Sequence, residues 1–296
     1  MAVINFGSLN IDYVYAVPHF CEGGETLTAL GRRQSIGGKG LNQSVAAAHA
    51  GADVFHAGLI GPGGEILRSC LEENGVDTSL LRECGEQQGH AIIQVSPGGQ
   101  NCILVFGGSN RAVTGRFIDE TLARTHPGDY LLLQNEISGL PHLLRAGAEK
   151  GLKIVLNASP IDDALLSADL SPLDWLVVNE LECARVAGVG DTEEAYRLLC
   201  RRYPGTGILL TLGEKGSVCF RDGREYRQAA YPAKAVDTTG AGDTFMGYFV
   251  AGLRRGRPIP EIMRLASMAS SIAVSRPGAA QSIPLLAEAE AAVAAL

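Results

Sequence analysis

Strong net charge, basic runs, paired cysteines and membrane-length apolar stretches are all missing from this chain of 296 residues. Charged residues make up 19% of it, 25 Lys and Arg against 32 Asp and Glu, and the formal charge is −7 with no basic tract to hold a nucleic acid backbone. No nucleic acid is expected as a partner; a small molecule is. The seven cysteines, at 21, 70, 84, 102, 183, 200 and 219, form no C-x-x-C pair and have no histidine cluster nearby. An odd, scattered set fits neither a disulfide framework nor a structural zinc site, so they read as buried small apolar residues in a reducing compartment. No apolar run approaches the length of a membrane span, so no membrane association is expected. The start, Met-Ala-Val-Ile-Asn-Phe-Gly, has no basic segment and reaches Asn5 too early for a signal peptide. The expected location is cytoplasmic. Two common nucleotide devices are absent as well. Gly37-Gly38-Lys39-Gly40 lacks the upstream Gly and the Ser/Thr of a Walker A loop, and Gly240-Ala241-Gly242 has Phe245 where a dinucleotide fingerprint needs its third glycine.

What is present is a chain with 46% hydrophobic residues and no internal repeat or dividing linker, which reads as one large α/β domain over 1–296. Ala2 to Gly7 is an apolar run of strand type, and Asp12 to Gln34 reads as strand, a turn at Glu22 to Glu25, and a second strand at Thr26 to Leu30. A helix follows from Leu41 to Ala50, a strand from Asp53 to Ile60, and a helix around Ile66 to Leu71 that stops at Gly75. His90 to Val95, Pro97-Gly98-Gly99 and Asn101 to Phe106 give a hairpin signal. From Tyr130 onward strands (130–133, 153–156, 175–178, 208–210) alternate with helices (140–148, 180–187, 194–203), the pattern of a parallel sheet covered by helices. Val218 to Phe220 with Asp222-Gly223 suggests an antiparallel edge, and helices from Pro260 to about Ser275 and from Pro284 close the chain.

Polar residues stand at Asn10, Gln134-Asn135-Glu136, Asn157, Asn179 and Thr211, each read as the end of a strand. Ligands of open parallel sheets bind outside the carboxyl ends of the strands, so these positions are expected on one edge. The stretch Asp237 to Phe245, Asp-Thr-Thr-Gly-Ala-Gly-Asp-Thr-Phe, leads into a helical stripe of Phe245, Met246, Phe249, Val250 and Leu253. Its small residues form the mouth of a helix, where unpaired N–H groups and the helix dipole suit an anion such as phosphate. Asp243 at that mouth has two readings. It is either an N-cap or a base for a hydroxyl that must lose its proton.

Two segments together carry a resemblance. Gly37-Gly38-Lys39-Gly40-Leu41-Asn42-Gln43 and Asp237 to Phe245 resemble the two signatures of the ribokinase-like (PfkB) carbohydrate kinase family, in the right order and at the right distance. Gly7 to Asp12, Asn179-Glu180-Leu181-Glu182, Thr211-Leu212-Gly213 and Arg276 to Ala279 resemble further family blocks. The resemblance implies a three-layer α/β/α ribokinase-like fold, with a mostly parallel central sheet and a small β-sheet lid built from about 12–35 and 90–107. It implies an ATP-dependent kinase acting on a primary hydroxyl of a small sugar. Ribose is favoured, with another sugar such as fructose, a keto-deoxy sugar acid, a nucleoside, or a non-catalytic sensor as alternatives.

Position by position, the resemblance makes Asp243 the base and Gly240, Ala241 and Gly242 the anion hole. Asn10, Asp12, Gly38, Lys39, Asn42 and Glu136 match sugar-contacting positions. Asn179, Thr211, Gly213, Gly216 and Gly242 would border the nucleotide, with Glu182 reaching Mg²⁺ through water. Asp237, Ala273, Arg276, Gly278 and Ser282 resemble a monovalent-cation loop for K⁺. A homodimer formed through the lid is implied too. Gly240 departs from the Ala common in the ribose-specific branch, which leaves the acceptor open.

Overall fold

The computed structural model describes all 296 residues. Its first part runs β1 (Val3–Phe6), β2 (Asn10–Ala16), β3 (Gly31–Gly37), α1 (Lys39–His49), β4 (Val54–Ile60), α2 (Glu65–Glu73), β5 (Asp77–Glu83), β6 (His90–Val95), β7 (Asn101–Phe106) and α3 (Gly115–Leu122). The alternating part follows with β8 (Tyr130–Gln134), α4 (Leu140–Glu149), β9 (Lys153–Asn157), α5 (Asp163–Leu166), β10 (Trp175–Asn179), α6 (Glu180–Ala187), α7 (Thr192–Arg202) and β11 (Gly207–Thr211). An edge hairpin, β12 (Ser217–Arg221) and β13 (Arg224–Gln228), precedes α8 (Ala241–Arg254), α9 (Ile259–Val274) and α10 (Leu286–Ala294).

The larger sheet has nine strands in the order β13-β12-β11-β10-β9-β8-β1-β4-β5, parallel except for the last hairpin. Its strands are buried on both faces, so they read as continuous apolar runs while their side chains still alternate. Val3, Leu132, Val155, Val177 and Leu209 face one core, covered by α1, α2, α8 and α9; Ile4, Leu131, Leu133, Leu156 and Leu176 face the other, covered by α3, α4, α6 and α7. This is the three-layer α/β/α arrangement. The smaller sheet, β3-β2-β6-β7, hangs from the loops after β1 and β5 and pairs β2 with β6 in parallel. No helix is long and apolar enough to cross a membrane.

Several local expectations need correction. The second strand of the first β piece lies at Gly31–Gly37 and not at Thr26 to Leu30, because its register is set by pairing with β2 and not by its own pattern, which includes Arg32, Arg33 and Gln34. β5 and α3 are additional elements; α3 is started by Thr114, whose side chain accepts from the N–H of Phe117 at 3.3 Å. Asn10 does not end β1 but opens β2, while Gln134, Asn157, Asn179 and Thr211 are the last residues of parallel strands and share one edge. The seven cysteines are all free, and only Cys183 and Cys219 are fully buried; Cys21 and Cys102 are exposed around the smaller sheet, whose thin, two-faced build covers little.

Candidate active site

The site is built where the loop after β1 meets the start of α1. Backbone approaches backbone there: a Cβ on Gly7 would come within 2.5 Å of the Gly40 Cα, so neither position has room for a side chain. The close fit lets Leu41 N–H donate to the Ser8 carbonyl at 3.0 Å. Gly38, at φ 96°, turns the chain into the helix in a conformation open to glycine. Glu136, from the loop after β8, lies over that helix end. Its Oε2 accepts from the Ser8 hydroxyl and from the Lys39 N–H at 3.2 Å, a negative charge at the positive end of the α1 dipole.

Around this end stand the expected polar residues. Burial first, and then the charge of Glu136, pushes the Asp12 carboxyl up to about 6. Burial acts to lower the proton affinity of Lys39, but the carboxylates of Asp243, Glu136 and Glu182 outweigh it and hold the ammonium above its ordinary range. One lysine thus feels carboxylates from α6, α8 and the β8 loop. Asn10 is buried, its Oδ1 accepting from Asn110 Nδ2 at 2.8 Å.

Asp243 is not a cap. Gly240 caps α8 in the left-handed region at φ 75°, and Asp243 sits in the first turn, 8% exposed. Its Oδ2 accepts from Asn42 Nδ2 at 3.0 Å and its Oδ1 from Gln43 Nε2 at 2.9 Å, so both donors come from α1. The helical ladder begins with Thr244 N–H on the Gly240 carbonyl, and no carbonyl or side chain takes the N–H groups of Gly242 and Asp243. These N–H groups, with the dipole behind them, are the donors an anion needs. Asn42 Oδ1, on the same amide that donates to Asp243, is buried and has no partner.

The remaining expected residues lie along the same edge. Asn179 and Glu182 close a capping box, Glu182 N–H on Asn179 Oδ1 and Asn179 N–H on Glu182 Oε2, both at 2.9 Å. That leaves Glu182 Oε1 without a partner. Thr211 is the ladder neighbour of Asn179, and Gly213 and Gly216 turn the chain just beyond it at φ 55° and 95°. Asp237 joins two loops, its Oδ1 accepting from Thr239 N–H at 2.9 Å and its Oδ2 from Gly278 N–H at 3.0 Å. Burial would raise its carboxyl, yet the bonds from Thr239 and Gly278 and the charge of Arg33 bring it below the ordinary range. Ala273 and Arg276 lie on the neighbouring segment, and the buried Ser282 hydroxyl donates to the Ala279 carbonyl at 2.7 Å. No group of three or more His, Cys, Asp or Glu is arranged to hold a metal directly.

Sequence reasoning named Gln134 only as a polar strand end and Gln43 only within a glycine-rich segment, and missed the buried hydrogen-bonded set with one histidine to which they belong. Asn5, Gln43, Gln134, Ser44 and His56 are hydrogen-bonded beneath the site, and Gln88 and Asn110 hold the Leu9 backbone. Their only signal is a polar residue inside an apolar element. A cavity of about 420 Å³ opens on the opposite edge of the sheet, between Met1, Phe55, Leu80 and Arg124; Asp129 there is already bonded to the N–H groups of Ala2 and His126.

The buried titrating groups set a pH signature. Burial pushes His56 down to about 4 from 6.5, so between these values the unfolded chain binds the extra proton and stability falls as pH drops. Asp12 runs the other way. Raised from 3.8 to about 6, it holds its extra proton in the folded chain, and its contribution is lost as pH rises through that window. The two effects, each on the order of 3 kcal/mol, oppose one another between about pH 4 and 6. Asp12→Asn removes one of them, so urea unfolding of the variant is expected to show stability dropping by about 3 kcal/mol from pH 6.5 to 4. A variant profile as flat as the parent's would contradict a buried neutral His56.

The pfkB family carbohydrate kinase model matches residues 2–286. The chain belongs to the pfkB family of carbohydrate kinases. It is 34% identical over 290 residues to the ribokinase of Haemophilus influenzae, covering 94% of each chain. Among solved structures, a ribokinase of Cryptococcus neoformans in complex with ADP superposes with a TM-score of 0.84 at 33% identity, covering 98% of this chain and 99% of that one. A ribokinase of Arabidopsis thaliana complexed with ribose and ATP gives 0.85 at 28% identity, covering 99% of each. Membership in pfkB accounts for both glycine-rich segments, one starting α1 and the other starting α8.

Proposed function

We propose that this pfkB kinase transfers the γ-phosphoryl group of ATP to a primary hydroxyl of a small sugar, with ribose the favoured acceptor. The observation that carries the reading is Asp243 in the first turn of α8, held by the Asn42 and Gln43 amides in a turn whose Gly242 and Asp243 N–H groups are free. A sugar hydroxyl brought against Asp243 meets a carboxylate to take its proton, with the Asn42 amide beside it to orient it. In the Gly240-Ala241-Gly242 turn the free N–H groups of Gly242 and Asp243 stabilise the transferring phosphoryl group without having to reorganise, while the Ala241 N–H must first leave the Thr238 carbonyl, at 3.3 Å. Asn10, Asp12, Gly38, Lys39, Asn42 and Glu136 hold the remaining sugar hydroxyls; their mix of acceptors and donors suits vicinal diols. Asn179, Thr211, Gly213 and Gly216 border the nucleotide.

Glu182, with one carboxylate oxygen unengaged in its capping box, fits an outer-sphere contact to hydrated Mg²⁺. When bound, that ion spreads the charge of the phosphates. The carbonyls of Asp237, Ala273, Arg276 and Gly278 with the Ser282 hydroxyl are an all-oxygen set suited to K⁺, on two loops that the Asp237 carboxylate already ties together. Seven free cysteines accord with a reducing, cytoplasmic setting.

Purified protein with Mg-ATP should release ADP when offered ribose, faster than with fructose, keto-deoxy sugar acids or nucleosides, and faster with K⁺ than without. Silence across that panel would leave only a binding role for the fold. The smaller sheet supports a homodimer as well: Ile103, Leu104, Val105 and Phe106 of β7 are all exposed, Leu104 at 68%, an apolar edge that a second copy would cover. Light scattering is expected to give twice the chain mass, and to fall to a single chain mass for Leu104→Asp.

A further inference from the structure

We propose that Gln43 is a positioning residue that fixes the base and determines which of its oxygens acts, a role that rests on the reading of Asp243 as the base. The argument follows the direction of each hydrogen bond. Asn5 Nδ2 donates to the Gly40 carbonyl at 2.7 Å and to Ser44 Oγ at 2.8 Å, which forces its Oδ1 to accept. Gln134 Nε2 supplies that bond at 3.0 Å and donates also to Gln43 Oε1 at 2.7 Å. Gln43 can then present only its Nε2 to Asp243 Oδ1. Ser44 closes the far end, its hydroxyl bonded to His56 Nδ1 at 2.8 Å, while His56 Nε2 bonds the Gly7 carbonyl at 3.2 Å. Gln134 Oε1 is itself buried without a partner, but turning that amide would strand both Asn5 Oδ1 and Gln43 Oε1, so the chain keeps its direction.

Asn42 is different. Its amide makes a single bond, to Asp243 Oδ2, and its Oδ1 accepts none, so only that one bond opposes its turning or sharing its donor when a hydroxyl arrives. Of the two donors on Asp243, only Gln43 is enforced. Oδ1 is held by the protein, and Oδ2 is the oxygen that takes the proton from the sugar hydroxyl.

The test is a set of variants in two backgrounds. Gln43→Met keeps the length of the side chain and removes the donor, and kcat is expected to fall about 10- to 100-fold with sugar and ATP KM within about threefold. Gln134→Met, one bond further back, should cost about tenfold or less in kcat. In an Asp243→Asn background, adding Gln43→Met should change the residual rate by less than about twofold, because a residue that acts through Asp243 has nothing left to act on. An equal loss in both backgrounds, a raised KM with normal kcat, or a lower unfolding midpoint with normal kcat per folded molecule would each overturn the assignment. Should Gln43→Met not fold, Gln43→Asn, which keeps an amide but withdraws it from Asp243, is expected to show the same kcat loss and is judged by the same outcomes. High turnover in Asp243→Asn alone would sink the base reading; a slow Asp243→Asn beside a fully active Gln43→Met would sink only this one.

Discussion

Asp243→Asn is expected to lower turnover by about 10³- to 10⁴-fold while leaving sugar and ATP binding within a small factor. The substitution preserves shape, and the surrounding donors indicate that the fold will accept it. Asp243 accepts one N–H on each oxygen, whereas an asparagine has one oxygen and one NH₂ group. The oxygen must face Gln43, whose own Oε1 is already taken by Gln134. The new NH₂ then faces Asn42, whose unpartnered Oδ1 can rotate to receive it. The rotation leaves one Asn42 atom unpartnered, as before, now its Nδ2 in place of its Oδ1, so the loss falls chiefly on proton removal and little on folding. Steady-state turnover combined with calorimetric sugar binding separates the two, and turnover within about tenfold of the parent would remove Asp243 from the chemistry.

Gly247→Val is expected to cost about 3 kcal/mol of stability or more and to cut the turnover of whatever remains folded by about 100-fold. Gly247 is where α8 crosses α1. A Cβ at this position would stand 2.6 Å from the Ala47 backbone nitrogen and collide with the Ala46 side chain, and neither neighbour can retreat because both are buried in a helix backed by the sheet. Relief requires the helices to spread. The donors to Asp243 all come from α1, so the same spreading lengthens both bonds to the carboxylate. Denaturant unfolding and turnover below room temperature test the two halves. An unfolding midpoint equal to the parent's would show that the crossing has slack.

Much of the fold was legible because its central strands are uninterrupted apolar runs and its helices carry periodic faces, as from Leu140 and from Phe245. What escaped were elements whose pattern depends on partners. β3 carries Arg32 and Arg33 on a thin sheet with little core to impose alternation, and β5 pairs β4 with a register shift that spoils its period. The site was legible where composition is unusual, at the two glycine-rich segments and at the Asn179–Glu182 spacing. It was not legible at Asn5 and His56, nor in the partners that Gln43 and Gln134 take. A lone amide in a strand or helix says that it needs a partner but not which one, and Gln134 finds Asn5 from 129 residues away. The ambiguity of Asp243 was likewise local; only the left-handed Gly240 ahead of it shows that the cap position is already filled.

The close crossing of α1 and α8 places Asp243, the proposed base, and its two amide donors on one unyielding block, while β6 and β7 attach by loops and β3 by the single residue Gly38, and none of them shares the two bonds to the carboxylate. Tolerance to change is therefore divided within the molecule. Residues of the outer sheet can vary and reshape the pocket with little effect on proton removal, whereas a single methyl group at Gly247 disturbs it for every acceptor alike. A fold partitioned in this way can shift from one sugar to another by small steps, keeping a working reaction at each.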